Sequence, residues 1–124
     1  MGGEQVAAGV QVWLAGKQGA ECASLPSAPG VLIYKVMGKI FAILEMRRVT
    51  CVILKCDPAM VEVLRAHYAG VGHRSHLDRR HWICVDLAAD VPAEEIERLA
   101  TQSYELVRAT LTRKQRAELE KLSP

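Results

Sequence analysis

Residues 31–56 read VLIYKVMGKIFAILEMRRVTCVILKC. Three runs within them, VLIYKV, KIFAILE and TCVILKC, are rich in β-branched and aromatic side chains, and only MG and MRRV stand between them. Such runs suit a pleated, half-buried surface, and connections this short join antiparallel neighbours, because a parallel crossover needs many more residues. The stretch therefore predicts a three-stranded antiparallel meander.

What flanks the meander is helical on one side and mixed on the other. CDPAMVEVLRAHYAG, residues 56–70, offers Asp57 as an N-cap and Pro58 at the first helical position. Apolar Met60, Val61, Val63 and Leu64 follow, with a stop at Gly70. Upstream, EQVAAGVQVWLAG (4–16) places Val6, Val10, Trp13 and Leu14 at helical spacing before Gly16. Between that helix and the meander, SLPSAPG (24–30) has the Pro, Ser and Gly content of a loop. Downstream, HWICVDL (81–87) reads as a fourth strand. DVPAEEIERLATQSYELVRATL (90–111) begins a helix at Asp90 to Pro92, with acids in its first turn and an apolar stripe of Ile96, Leu99, Ala100, Tyr104, Val107 and Leu111. RKQRAELEKL (113–122) reads as a short final helix. The order is α-β-β-β-α-β-α(-α), an α+β two-layer sandwich with helices on one face of a twisted antiparallel sheet.

At 124 residues the chain is expected to be one domain, 1–124, long enough to fold around a single core. Half of it is hydrophobic and 24% charged, which excludes a disordered or low-complexity chain. Its first residues carry Glu4 and no basic region ahead of the apolar run, unlike a signal peptide. IFAIL and similar runs are far shorter than a membrane span of roughly 18–20 residues. A cytoplasmic monomer without membrane association is the expectation. MGG at the start is not a myristoylation signal, because Val6 stands where Ser or Thr is required. Cys22, Cys51, Cys56 and Cys84 form no CxxC pair. Cys51 and Cys56, on one predicted strand, would lie about 16 Å apart, too far to bridge. They read as reduced, mostly buried thiols.

The net charge is only +2, but residues 47–82 hold seven basic residues against three acids. Within them HRSHLDRRHW, residues 73–82, raises three chemistries. As a metal site, His73, His76, Asp78 and His81 match no standard zinc spacing, and the neighbouring arginines would repel a dication. As a catalytic triad, Ser75, His76 and Asp78 are too close in sequence to aim at one point. As a phosphate loop, GVGH lacks the glycine spacing and follows a helix. The stretch is expected to end the second helix, cross to the fourth strand and place Trp82. No cofactor, metal or enzymatic activity is expected.

VMGKIFAILE, ILKCDPAMVEVLRAHY, HLDRRHWICVDL, DVPAEEI and SYELVRATL, in that order and spacing, resemble the MmcQ/YjbR family over about residues 4–120. The resemblance implies a YjbR/CyaY-like fold, similar to frataxin. It also implies DNA binding, because family members are described as DNA-binding proteins from the likeness of their fold to the double-wing domain of a phage transcription factor. On that reading the wings are the two turns of the meander. Lys39, Arg47 and Arg48 would contact phosphates weakly and without sequence preference, and Arg74, Arg79 and Arg80 would extend the patch. Frataxin-like iron handling is not implied, since an acidic first helix is needed and this one carries only Glu4.

Strand alternation supplies a second reading. In the meander, Leu32, Tyr34, Ile40, Leu44, Val52 and Leu54 share the phase expected under the helices, and Ile83, Val85 and Leu87 do so in the fourth strand. Lys35, Lys39, Phe41, Ile43, Glu45, Ile53 and Lys55 share the other phase, with Trp82, Cys84 and Asp86. Lys35, Phe41, Lys55 and Trp82 would then form a protein-binding platform, used as frataxin-like proteins use their open sheet face.

Overall fold

The computed structural model describes residues 3–47, 49–73 and 77–122. The chain runs α1 (Gly3–Ala15), β1 (Ala20–Leu25), β2 (Ala28–Val36), β3 (Lys39–Glu45), β4 (Cys51–Lys55), α2 (Pro58–His67), β5 (Val71–Gly72), β6 (Trp82–Asp86), α3 (Ala93–Arg108) and α4 (Arg113–Glu120). One antiparallel sheet orders the strands β1-β2-β3-β4-β6-β5. All four helices contribute to a single core against one face: Ala7, Val10 and Leu14 from α1, Val61 and Leu64 from α2, the Ile96-to-Val107 stripe from α3 and Leu119 from α4. The α+β sandwich read from the sequence is the observed architecture, and no helix among the described residues is long and apolar enough to cross a membrane.

The local signals act as their chemistry requires. Met37 and Gly38, both at positive φ (49° and 82°), make the two-residue β2–β3 turn that MG announced. Asp57 caps α2 by accepting the Ala59 N–H at 2.9 Å, with Pro58 at the helix start. Only Val61 and Leu64 of α2 turn inward, while Met60 and Val63 remain exposed.

Four expectations are corrected. SLPSAPG is a hairpin: Leu25 pairs with Ala28 across the Pro26–Ser27 turn, and β1 continues outward from it. β1 carries small inward-phase residues, Ala20, Cys22 and Ser24, so it has no hydrophobic alternation to read. A two-residue strand, β5, pairs with β6 before the crossing segment. Asp90 does not cap α3, whose N-cap is Pro92 without a side-chain hydrogen bond. It accepts instead from the Ala69 and Gly70 amides at 2.9 and 2.8 Å, and those two bonds lower its pKa. That turn is tight, since a Cβ on Gly70 would lie 2.7 Å from the Cβ of Ala89.

The fourth correction concerns the sheet's phase. Tyr34 pairs with Ala42, but the next pair is Lys35 with Ile40, leaving Phe41 without a β2 partner. This extra residue is a β-bulge, and it reverses the in-out order of β3 on either side. Phe41 therefore faces the helices, fully buried, with its ring edge-on to Tyr104 at a centroid distance of 5.3 Å. Lys39 shares that side and donates from Nζ to the Thr110 carbonyl and hydroxyl at 3.0 and 3.1 Å. Ile40, assigned to the covered side by simple alternation, shares the opposite face with Lys35.

Candidate nucleic-acid interface

The bulge leaves two buried polar groups for one side chain to satisfy. Ser103, on the apolar stripe of α3 and fully buried, donates from Oγ to the Phe41 carbonyl at 2.5 Å and accepts the Lys55 N–H at 2.8 Å. Both strands are thereby held at the point where their mutual pairing stops at Ala42 and Leu54. Lys55 is thus fixed by its backbone from the helix side while its side chain belongs to the other face.

Among the described residues, that other face carries no helix. Its registers align three transverse rows. The middle one runs Ala23, Ile33, Ile43, Ile53, Cys84 and Gly72. One flanking row holds Val31, Glu45, Cys51 and Asp86. The other holds Glu21, Lys35 and Ile40, then Lys55 opposite Trp82. Cys51, Ile53 and Cys84 form a small buried cluster with Ile43, Leu77 and Trp82 against it. Trp82 is consequently half-buried against this cluster, while Lys35 stands exposed.

Asp78 builds the turn that delivers Trp82 to this row. Its carbonyl accepts the His81 and Trp82 amides, both at 3.0 Å, and its carboxylate accepts the Arg80 amide at 2.9 Å and lies 3.0 Å from His81 Nδ1. The Arg80 amide, and then His81, hold the Asp78 pKa down at about 2. The His81 carbonyl accepts from Cys56 at 2.7 Å, which ties the turn to the end of β4. Arg79 and Arg80 project from it, both exposed. Arg80 reaches Asp78 only at 3.5 Å, and Arg79 has no ion-pair partner among the described residues.

The residues proposed from sequence are therefore not one patch. Lys35, Lys55, Trp82, Arg79 and Arg80 gather at one end of the sheet. Arg47 lies past the other end of β4, about 13 Å along the strand, and makes a bidentate ion pair with Glu45 at 2.7 and 2.8 Å. Lys39 is at the first end but turned toward α3, and Phe41 is in the core. Arg48, Arg74, Ser75 and His76 lie outside the described residues. Ser103 was missed, although a serine at helical spacing from Leu99, Ala100 and Val107 marks a polar group on a buried stripe. Among the described residues no three His, Cys, Asp or Glu side chains converge as metal ligands.

A family model described as YjbR matches residues 15–106. The chain belongs to the YjbR family. The uncharacterized protein YjbR of Escherichia coli K12 is 33% identical over 72 residues, 57% of this chain and 61% of that protein, and its counterpart in strain O157:H7 gives the same figures. The aligned part thus spans under two thirds of these relatives. Among solved YjbR-type structures, a Deinococcus radiodurans protein with a DUF419 domain superposes with a TM-score of 0.81 at 28% identity, covering 92% of this chain and 87% of that one. A Pseudomonas syringae protein shares the fold, with a TM-score of 0.70, 23% identity and coverage of 80% and 96%.

Proposed function

We propose that this YjbR-family domain is a non-enzymatic, cytoplasmic, monomeric binding protein. On this reading it holds nucleic-acid backbone weakly and without sequence preference at the basic end of its helix-free sheet face. One observation carries the reading: Lys55 stands directly opposite Trp82 in the β4–β6 register, beside the turn bearing Arg79 and Arg80. A cation next to an aromatic ring at a strand end is the pairing single strands use, phosphate on the charge and base on the ring. The charge density is low, because Glu21 opposes Lys35 and Asp78 draws on Arg80. Up to four phosphate contacts fit, from Lys35, Lys55, Arg79 and Arg80.

The row of Ile33, Ile43 and Ile53 favours a second reading, an acidic protein segment laid across the same face with its carboxylates on Lys35 and Lys55. Trp82 fluorescence in a Trp13→Phe background separates the two. Titration with a short oligonucleotide should quench Trp82 in a salt-sensitive way, with Lys55→Ala weakening the effect. Quenching by a poly-glutamate peptide and not by the oligonucleotide would replace the first reading with the second.

A further inference from the structure

A groove of about 390 Å³ lies between α2 and the 78–81 turn, bordered by Glu62 and Arg65 of α2, by His73 and by Arg79 and Arg80. We propose that it is a binding site for a phosphomonoester.

Three guanidinium groups from two separate elements border this one cavity, and among the described residues only Glu62 offsets them from within it. Their internal pairings are loose. Arg65 meets Glu62 through a single nitrogen at 3.1 and 3.2 Å, Arg80 reaches Asp78 at 3.5 Å, and Arg79 is unpaired among the described residues. Each keeps donors to offer, and the planar fork of arginine matches phosphate oxygens. His73 adds an independent sign. Its Nδ1 is buried and has no hydrogen-bond partner among the described residues, an uncommon state for a buried polar atom, and an oxyanion between Arg65 and Arg79 gives the ring an acceptor to turn toward.

The size and charge of the groove select the ligand class. Its volume falls at the small end of the roughly 300–1,000 Å³ typical of small-molecule sites, which suits a phosphorylated sugar or one nucleotide and excludes a duplex. A phosphomonoester carries about −1.5 to −2 charges at neutral pH, enough to engage two or three arginines, whereas a diester carries one. The shared chemistry has two sources, a free phosphorylated metabolite or the 5′-phosphorylated end of a strand. The site shares Arg79 and Arg80 with the nucleic-acid surface, but Arg65 belongs to the groove and Lys55 to the sheet face. The two readings can therefore fail separately.

The test uses the full chain and amide-resolved NMR titration with adenosine 5′-monophosphate, adenosine, and adenosine 3′,5′-cyclic monophosphate. Shifts should cluster at Arg65, His73, Arg79 and Arg80 for the monophosphate. Arg65→Ala should weaken it about tenfold or more, Arg65→Lys less, and Lys55→Ala should leave it unchanged. A 5′-phosphorylated oligonucleotide that outcompetes its 5′-hydroxyl twin in an Arg65-dependent way assigns the site to strand ends. An equal pair, with mononucleotide binding retained, assigns it to free phosphometabolites. The proposal is overturned if the cyclic diester or adenosine binds as well as the monophosphate. It is equally overturned if Arg65→Ala and Arg79→Ala, each folded by its spectrum, bind like wild type.

Discussion

Replacing Ser103 with alanine removes one oxygen and should cost several times what a typical surface substitution does. The hydroxyl is fully buried and bridges the Phe41 carbonyl and the Lys55 amide. Neither group has a strand partner to fall back on, because the β3–β4 ladder ends one residue earlier, at Ala42 and Leu54. A buried donor or acceptor left unpaired costs about 1–3 kcal/mol, and two are left here. Alanine returns about half a kcal/mol through its better helix propensity. The expected loss is about 1.5–5.5 kcal/mol, a large share of the roughly 5–15 kcal/mol that holds a domain of this kind together. Urea unfolding followed by circular dichroism should show a lower midpoint with an unchanged slope. Native-state hydrogen exchange should show the Lys55 amide losing protection ahead of its β4 neighbours. Ser103→Cys, with a weaker donor and acceptor, should fall between alanine and wild type. A loss below about 1 kcal/mol, with Lys55 still protected, would refute the reasoning and mean that the strands close around the bulge unaided.

Other perturbations probe the same frame. Gly70→Ala should destabilise by about 1–3 kcal/mol through its clash with Ala89, and adding Ala89→Gly should recover most of that in thermal melts. The Asp78 pKa falls from an ordinary 3.8 to about 2 in the fold. Its stabilisation is therefore complete above the unfolded value and is lost as pH falls from about 4 to 2. Carboxyl NMR titration should show that midpoint, and Trp82 emission should change in the same window. Chelator should leave the thermal midpoint unmoved, since no ligand set converges among the described residues; a drop restored by zinc or iron would contradict this.

How much of this was legible beforehand depends on whether a residue's role was local. Asp57, Pro58, Met37 and Gly38 act on their own turn of chain, and the sequence announces them. The α3 stripe was equally plain, because Ile96, Leu99, Ala100, Tyr104 and Val107 repeat at helical spacing and all are buried, as is Leu111 just past the helix end. Phe41 was misplaced because a bulge adds a residue without any compositional mark, and one such insertion reverses the in-out order of the strand on one side of it, here at Lys39, Ile40 and Phe41. Asp90 was misread for a related reason. An acid before Val-Pro-Ala looks like a cap, but its carboxylate is taken by amides twenty residues earlier. For the candidate site, the individual cations were visible and their grouping was not. The registers, rather than the spacing, separate Arg47 from Lys55 and bring Trp82 beside it.

The most direct test of where this protein holds nucleic acid is the salt dependence of binding to a labelled strand, measured by anisotropy for wild type and two variants. With two to four phosphate contacts the wild-type slope of log affinity against log salt should be roughly −1.4 to −2.8, near −0.7 per contact on a single strand. Lys55→Ala with Arg79→Ala should reduce it by about two contacts. Arg47→Ala should leave it unchanged, because Arg47 is spent on Glu45 at the far end of the strand. A slope that falls with Arg47→Ala and ignores Lys55 and Arg79 would return the interface to the hairpin wing, and no binding at low salt would remove nucleic acid from the account.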